Sequence, residues 1–334
     1  MVYNTFMSTD VLNRGKIRVG VLRGGPSGEY EVSLQTGATV LKNLPERYSG
    51  HDILISRDGV WHWSGIPRVP EKVLNNVDVV FNALHGNYGE DGKVQSVLEQ
   101  FKIPYTGSRP VPSSISMNKT LSKKFFREKE IKTPVSIIFH PAQHVHSEAL
   151  ELFRSFPQPS VIKPASGGSS IGVTVTNNFL DFEKGIEIAL RHGSAALVEE
   201  FIRGKEVSVT VLESSKDHTH YSLSPVEIVH RSPNNFFDYN CKYEAGAQKI
   251  CPAENISLRE KEQVQQLALR AHRTMGLRHY SNSDFIIHPS RGIYLLEVNS
   301  LPGLTTNSLL PIALISAGIS VSDFLEHVLS LALQ

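Results

Sequence analysis

Long apolar runs are missing from this chain of 334 residues, and cysteine is scarce. No uninterrupted apolar run approaches the roughly 18 residues of a transmembrane helix, and the polar stretch 1–15 has no apolar signal core. The two cysteines, Cys241 and Cys251, match no CxxC or zinc-binding pattern. We therefore expect a reduced, cytoplasmic protein with no membrane partner.

A surplus of charge of one sign is also lacking, since the formal net charge is +1. Such a balance gives no bulk electrostatic attraction to nucleic acid or to anionic lipid, and we expect neither as a partner. The content of 40% hydrophobic and 20% charged residues is that of an ordinary globular protein. The length allows about two or three domains.

The most informative stretch lies near the C-terminus, where two apolar runs, 284–288 and 292–299, flank a turn signal of Pro, Ser, Arg and Gly. This arrangement predicts an antiparallel hairpin. Because side chains alternate along a strand, one constant register determines every cross-strand neighbour. That register pairs His288 with Ile293, Asp284 with Glu297, and Asn282 with Asn299.

The predicted pairing places two carboxylates directly opposite each other, with Asn299 on the same face. Like charges in this position destabilise a sheet, and buried carboxylates need a partner. A hard cation held by oxygens of Asp284, Glu297 and Asn299 satisfies both demands, and magnesium with a bound phosphate is the usual example. The alternative is a solvated strand end whose charges lie at the rim.

The N-terminal region opens with an apolar strand, 17–22, and a glycine-rich loop, 23–28. A helix is predicted from about Glu31 to Leu44, so the loop places backbone N–H groups where anions bind. The loop is not a GxGxxG fingerprint, which excludes a dinucleotide site of that type. Glu31 at the helix start has a simpler interpretation, because a carboxylate there complements the helix dipole.

A second apolar strand, 77–83, runs into a loop that contains His85, Glu90 and Asp91. Loops at the carboxyl ends of such strands carry function, so His85 is a candidate site residue. We expect Glu90 and Asp91 to charge the first turn of the following helix.

The middle of the chain carries lysines and a loop rich in glycine and serine. A helix is predicted over 116–130, capped by Ser116, with Lys119 in its first turn and Lys123 exposed to solvent. A strand ending at Lys163 leads into the loop 164–172, which can fold its N–H groups over phosphates or form a flexible hairpin turn.

Two further segments remain open to more than one interpretation. In the strand 195–202, alternation predicts that one of Glu199 and Glu200 points inward. The segment 231–252 is long, aromatic and basic, and is either a lid over a site or a mobile excursion.

Seven short runs occur in the same order as in one known family, over nearly the whole chain from Ile17 to Leu333. On these runs the chain resembles the D-alanine:D-alanine ligase family of the ATP-grasp superfamily. The runs are GGPSGEYEVS, ALHGNYGEDG, YTGS, SMNK, KPASGGSSIG, FDYNCKY and LLEVNSLPGLT.

The resemblance implies an α/β fold (α+β ATP-grasp) in three domains. These would be an N-terminal parallel-sheet substrate domain (1–106), a central ATP-grasp domain (107–202) and a C-terminal ATP-grasp domain (203–334). The last would carry the lid loop 231–252.

The activity that it implies is ATP-dependent ligation of two D-alanines to D-alanyl-D-alanine, through an acyl phosphate, for peptidoglycan precursors. The substrates would be D-alanine and ATP, and the metal Mg²⁺ or Mn²⁺. A homodimer is also implied by resemblance alone.

The same resemblance implies a role for each site residue. The ATP residues would be Lys119, Lys163, Ser169, Glu199, Glu200, Phe201, Ile202, Glu206, Phe236, Lys242 and Leu296. The substrate residues would be Glu31, His85, Asn299, Gly303, Ser308 and Leu309. The catalytic residues would be Glu31, Ser169, Tyr243, Asn282 and Gly303, and the metal ligands Asp284, Glu297 and Asn299.

One position departs from the family pattern. The family has an arginine two residues before its first metal aspartate, where it supports the oxyanion; here Asn282 stands in that place. Asparagine donates hydrogen bonds but carries no charge and reaches less far. The resemblance therefore leaves several interpretations open: an active ligase in which another cation substitutes, a weak or inactive ATP-grasp protein that still binds ATP, or a ligase with a different second substrate.

Overall fold

The computed structural model describes residues 15–141, 145–168, 171–230 and 247–334. Within these ranges the strands form three sheets, of five, four and six strands. Each sheet is built from a separate part of the chain, in chain order.

The first sheet is a parallel core extended by a hairpin. Its order is β4-β3-β2-β1-β5, and β1 runs parallel to both β2 and β5. The strands and helices of this part are β1 (Ile17–Gly24), α1 (Tyr30–Asn43), β2 (Tyr48–Ile55), β3 (Trp61–Trp63), β4 (Ile66–Pro67), α2 (Pro70–Leu74), β5 (Val79–Asn82) and α3 (Lys93–Gln100).

The second sheet is antiparallel, in the order β6-β9-β7-β8. The elements of this part are α4 (Pro110–Met117), α5 (Lys119–Glu128), β6 (Ser136–Phe139), α6 (Val145–Ser155), β7 (Ser160–Pro164), β8 (Thr174–Thr176), α7 (Phe179–His192) and β9 (Ala196–Glu200).

The third sheet has the order β13-β12-β10-β14-β15, with β11 also pairing with β10. Its elements are β10 (Lys205–Glu213), β11 (His220–Ser222), β12 (Val226–His230), β13 (Ala247–Ile250), α8 (Leu258–Thr274), β14 (Tyr280–His288), β15 (Gly292–Asn299), α9 (Leu309–Ser316) and α10 (Val321–Ala332).

The single helix predicted over 116–130 is wrong, because the chain breaks there into α4 and α5. Asn118 ends the first helix and caps the second, accepting hydrogen bonds from the backbone N–H groups of Thr120 and Leu121. Ser116 lies inside α4, where its hydroxyl donates to the carbonyl of Val298 at 2.6 Å. The break places Lys119 at the start of a helix.

The C-terminal hairpin forms as the sequence predicts at its functional end. Asp284 pairs with Glu297, and Asn282 pairs with Asn299. Both predicted pairings are confirmed, and the two carboxylates face each other across the ladder.

A β-bulge changes the register toward the turn end of the same hairpin. His288 pairs with Gly292 and not with Ile293, and Phe285 pairs with Leu295. The extra residue in β15 reverses its alternation, so Leu295 joins the same buried cluster as Phe285. A constant register is therefore wrong for this half of the hairpin.

The C-terminal helices lie between the first and third sheets: α10 contacts α1 and β5, whereas α9 contacts β10 and β12. Val21 and Phe81 of the first sheet share a buried cluster with Leu314 of α9 and with Phe324 of α10. Within the described ranges no single helix is long and apolar enough to cross a membrane, and α9 and α10 meet that criterion only as a pair bent by 105°. Their packing brings the loop after β15 to the loops of the first sheet.

Candidate active site

The turn after β1 requires two glycines. Gly24 and Gly25 have φ angles of +88° and +94°, which side chains rarely adopt. A Cβ at Gly24 would also lie 2.3 Å from the carbonyl oxygen of Ile55. The turn therefore directs the chain sharply from β1 into α1.

Two serines fasten this turn to the loop after β5. The Ser27 hydroxyl donates to the carbonyl of His85 at 2.7 Å. The Ser33 hydroxyl donates to the carbonyl of Ala83 and accepts from Gly24 N, both at 2.8 Å. These bonds are buried, so the two loops hold one position relative to each other.

Glu29, and not Glu31, points from this turn into the site. Glu29 is 6% exposed, and its Oε2 would lie 2.9 Å from a Cβ at Gly86 and 3.1 Å from one at Gly168.

The prediction for Glu31 is wrong on geometry. Its carboxylate is 70% exposed and pairs with Arg57 at 3.0 Å on the outer face. Residues two apart on a helix face different directions, so a helix start at Tyr30 separates the two glutamates of this run. That spacing was the signal that could have identified Glu29 from the sequence.

His85 lies buried at the centre of the cluster. Its Nε2 is 2.9 Å from the Thr36 hydroxyl, and burial lowers its pKa, against the opposing effects of the Glu29 carboxylate and the Leu301 backbone. The ring is therefore neutral at physiological pH. A Cβ at Gly303 would lie 3.9 Å from the His85 Cε1, so the structure brings these two predicted site residues together.

Glu90 is a site residue that the sequence interpretation missed. It was expected to charge a helix start, but its Oε2 accepts a hydrogen bond from Gly86 N at 2.6 Å. Burial and the nearby Glu29 carboxylate raise the pKa of Glu90 to about 8, with Glu297 acting in the same direction and Lys119 against it. Glu29 and Glu90 therefore flank Gly86, and Glu90 holds a proton at neutral pH.

Lys119 connects this cluster to the hairpin. Its ammonium lies 2.7 Å from Glu297 Oε2 and donates to the carbonyl of Gly167 at 3.1 Å. The neighbouring Gly168 adjoins Glu29, so the loop after β7 spans from the lysine to the inward glutamate.

The hairpin carboxylates form an oxygen-rich pair. Ser208 donates to Asp284 Oδ1 at 2.7 Å, and Asn299 follows Glu297 by two residues on the same face. Among the described residues, no group of three or more His, Cys, Asp or Glu side chains is placed to hold a metal. A cation here would depend on two carboxylates and an amide oxygen, a donor set that suits magnesium or manganese.

Asn282 is buried beside this pair, at 3% exposure. Its Oδ1 accepts from Thr210 at 2.6 Å, and its Nδ2 donates to the Ser208 hydroxyl at 3.3 Å. Since Ser208 in turn donates to Asp284, the asparagine belongs to a hydrogen-bonded chain that ends on a hairpin carboxylate.

Lys163 lies at the end of β7 and pairs with Glu199 of β9 at 2.7 Å. Lys123, expected to be exposed, is 1% exposed and holds the other oxygen of Glu199 at 2.8 Å. Burial alone would raise the pKa of Glu199, but the two lysines outweigh it and the pKa is lowered. Burial likewise lowers the pKa of Lys123 to about 8, against the attraction of Glu199.

Glu199 and Glu200 are both buried, at 2% and 8% exposure, although alternation predicted one inward side chain. Glu200 points to the opposite face, where it pairs with Arg291 at 2.8 Å and accepts from Val135 N at 3.1 Å. The turn of the C-terminal hairpin covers that face, which a single strand pattern does not reveal.

The other predicted ATP residues lie directly after β9, in β10 and in β15. Phe201 N donates to the carbonyl of Pro159 at 3.1 Å, and Ile202 is buried. Glu206 pairs with Ile286 across β10 and β14. Leu296 is half-buried at the bulge of β15.

The predicted second-substrate residues meet at the start of α9. Ser308 is the N-cap position of this helix. Its hydroxyl lies 2.7 Å from that of Thr305 and would be 2.9 Å from a Cβ at Gly303. Leu309 follows as the first helical residue, packed against the core of the first sheet. Four predicted site residues lie outside the described residues: Ser169, Phe236, Lys242 and Tyr243.

Comparison with known proteins identifies the family of this chain. The family profile described as "D-ala D-ala ligase C-terminus" matches residues 126–330, and the one described as "D-ala D-ala ligase N-terminus" matches residues 65–108. The chain belongs to the D-alanine–D-alanine ligase family.

Relatives named D-alanine–D-alanine ligase align over nearly their whole length. That of Geobacter sulfurreducens is 37% identical over 326 residues, covering 97% of this chain and 96% of the relative. That of Halalkalibacterium halodurans is also 37% identical, covering 95% and 100%.

Solved ligase structures share the fold. The VanG D-Ala:D-Ser ligase from Enterococcus faecalis superposes with a TM-score of 0.82, 29% identity, and coverage of 95% of this chain and 99% of that one. The D-alanine-D-alanine ligase from Coxiella burnetii gives a TM-score of 0.81 at 23% identity, over 96% and 94%. The predicted ATP-grasp fold is confirmed.

Because Glu90 of this ligase holds a buried proton, the free energy of unfolding should depend on pH. Between the ordinary value of 4.5 and about 8, the folded protein holds a proton that the unfolded chain releases. The free energy of unfolding therefore falls as pH rises through this window. Glu90→Gln keeps an acceptor for Gly86 N and removes the titration, so we expect its stability relative to the parent to increase from about pH 5 to about pH 8.

Denaturant unfolding of both proteins at several pH values measures this difference. Asp91→Asn is the control, since that neighbouring acid pairs with Lys93 at 2.9 Å and should show no such gain. Parallel pH profiles for the parent and Glu90→Gln would contradict a buried proton on Glu90.

Proposed function

We propose that this ligase uses ATP to join two D-alanines through an acyl phosphate, giving D-alanyl-D-alanine and ADP. The observation that supports this function is the convergence of Glu29, Lys119 and the opposed pair Asp284 and Glu297. These residues lie around one loop, 167–168. Glu29 would supply an acid for an ammonium group, Lys119 a cation for a phosphate, and the opposed pair oxygen atoms for a metal.

Glu29 would bind the ammonium group of the first D-alanine. Glu29 is buried beside two groups that carry little charge, since burial lowers the pKa of His85 and burial with the Glu29 carboxylate raises the pKa of Glu90 to about 8. The amino group anchored there directs the substrate carboxylate toward Lys119. The carboxylate oxygen then attacks the γ-phosphorus of ATP and releases ADP.

Lys119 and Lys163 would stabilise the charge that develops on phosphate oxygens during this step. Both ammonium groups lie at the edge of the cleft, with side chains 12% and 9% exposed. Preorganised cations in such a site lower the barrier because they do not reorganise during the reaction.

Asp284, Glu297 and Asn299 would hold the divalent cation, Mg²⁺ or Mn²⁺, that the ligase family uses with ATP. When bound, such an ion neutralises phosphate oxygens. The hydrogen bond from Ser208 orients Asp284 for this role, and the bond from Lys119 places Glu297.

The second D-alanine would bind near Gly303, Ser308 and Leu309. Its amine attacks the acyl phosphate carbon and displaces phosphate. The open N–H groups at the start of α9 suit the substrate carboxylate. We assign D-alanine and not D-serine to this position, and the assay below includes both.

The proposal includes several further expectations. They are the boundaries near 106 and 203, a lid in the segment 231–252 with the ATP residues Phe236 and Lys242, the catalytic roles of Ser169 and Tyr243, a cytoplasmic homodimer, and a lack of nucleic-acid or membrane partners. The prediction of a loop is wrong for the end of that segment, because residues 247–250 form strand β13, paired with β12. A lid would exclude water, which otherwise hydrolyses the acyl phosphate.

Phosphate release tests the activity directly. With ATP and magnesium, D-alanine should produce phosphate and one D-alanyl-D-alanine for each ATP consumed. Parallel reactions with D-alanine plus D-serine or D-lactate identify the second substrate. Phosphate release that does not depend on D-alanine would contradict the proposed ligation.

The two glutamates of the first turn provide a matched pair of variants. Glu29→Gln should raise the KM for the first D-alanine and lower turnover, by about tenfold or more, because a charge-assisted hydrogen bond to the ammonium is lost. Glu31→Gln, at the exposed Arg57 pair, should change neither by more than about twofold. Equal effects would remove Glu29 from the substrate site.

Asn282 supports a second candidate function, which is the same ligation at a lower rate. The family arginine at this position would supply charge for the oxyanion of the second step, whereas Asn282 is committed to Thr210 and Ser208. Loss of one oxyanion donor costs about 10²- to 10³-fold in rate. We therefore propose that this chain is a slow ligase.

Restoring the charge tests that proposal. Asn282→Arg should raise turnover at saturating D-alanine, by on the order of 10²-fold, with a smaller change in ATP affinity. Asn282→Gln is the control, since it adds reach without charge. If the arginine variant turns over no faster than the glutamine variant, Asn282 does not mark a weakened oxyanion site.

A further inference from the structure

The buried trio of Lys123, Glu199 and Lys163 has an asymmetry that the ligation mechanism does not use. Glu199 offers one oxygen to each lysine, at 2.8 Å to Lys123 and 2.7 Å to Lys163. The side chain of Lys163 is 9% exposed, at the edge of the cleft, whereas the side chain of Lys123 is only 1% exposed.

Lys123 is held firmly where it lies. Its ammonium also donates to the Thr133 hydroxyl at 2.5 Å, and the residue is one turn beyond Lys119 on α5. Residues four apart share a helix face, so one face of α5 supplies both a cleft lysine and a buried lysine. The helix thereby ties the trio to the position of Lys119.

We propose that Lys123 is a positioning residue for ATP that acts through Glu199 and does not touch the nucleotide. By neutralising one oxygen of Glu199 from behind, it weakens the hold of this carboxylate on Lys163. The Lys163 ammonium is then free to transfer its hydrogen bonds to a phosphate. This inference rests on the proposed function only in assigning Lys163 to ATP.

The strength with which Glu199 holds Lys163 depends on which other charge balances this carboxylate. With Lys123 present, the trio carries two positive charges and one negative charge, so an incoming phosphate meets a net cation. Without Lys123, Glu199 and Lys163 form a closed neutral pair in a buried site, where an ion pair is strongly held. ATP must then break that pair to recruit Lys163.

A double-mutant cycle tests the route through Glu199. We expect Lys123→Met to raise the dissociation constant for Mg-ATP, measured by calorimetry without D-alanine, by on the order of tenfold. In a Glu199→Gln background the same substitution should raise the dissociation constant by much less, because no carboxylate remains to capture Lys163. Equal losses in both backgrounds would overturn the proposal, since they indicate a packing role.

The pH profile is an independent readout that a structural role does not predict. Burial lowers the pKa of Lys123 to about 8 despite the attraction of Glu199, with the Lys163 and Arg127 charges acting in the same direction as burial. Affinity for ATP should therefore fall as pH rises above about 8, whereas Lys123→Arg keeps its charge and should show no fall. Measuring both in a Glu90→Gln background removes the titration of Glu90, whose pKa of about 8 falls in the same range.

If Lys123→Met does not fold, the pH profile decides, and a parent whose ATP affinity is constant above pH 8 would overturn the proposal. The binding assay also separates this inference from the proposed ligation. A protein that binds ATP as described but releases no phosphate with D-alanine would contradict the ligation alone.

Discussion

The pairing of Asp284 with Glu297 is the constraint on which the site depends. Two carboxylates on adjacent strands repel each other unless cations approach them, and the fold brings Lys119 to 2.7 Å from Glu297. That approach requires the break at Asn118, which starts α5 at this lysine. The hairpin, the broken helix and the loop after β7 therefore form one electrostatic unit.

The side of the site opposite the lysines is acidic. Burial gives its titratable residues different protonation states. Glu90 holds a proton because burial and the Glu29 carboxylate raise its pKa to about 8, while burial keeps the His85 imidazole neutral. A substrate with one ammonium and one carboxylate matches a cleft with an acid on one side and lysines on the other. In the proposed function, this charge pattern would orient the amino acid as well as bind it.

Sequence patterns were most accurate where a local rule governs the outcome. Alternation along two strands and a short turn were enough to predict that Asp284 faces Glu297 and Asn282 faces Asn299. They failed where one residue is inserted, because the bulge shifts His288 onto Gly292. For Glu31 the pattern was right that the carboxylate lies in the first turn of a helix, whereas the resemblance assigned it to the site although Glu29 is the buried glutamate of the run.

The sequence by itself determined the family and the hairpin that carries the proposed metal ligands, because both are encoded in short contiguous runs. Only the tertiary structure decided that Glu29 and Glu90 flank Gly86 and that Lys123 is buried against Glu199. Glu29 reaches Gly86, and Lys123 reaches Glu199, from segments far apart in the chain; Glu90 is only four residues from Gly86, but its raised pKa depends on burial and on the distant Glu29. Burial and charge at such a contact depend on side chains from distant parts of the chain, which the local periodicity of the sequence does not reveal.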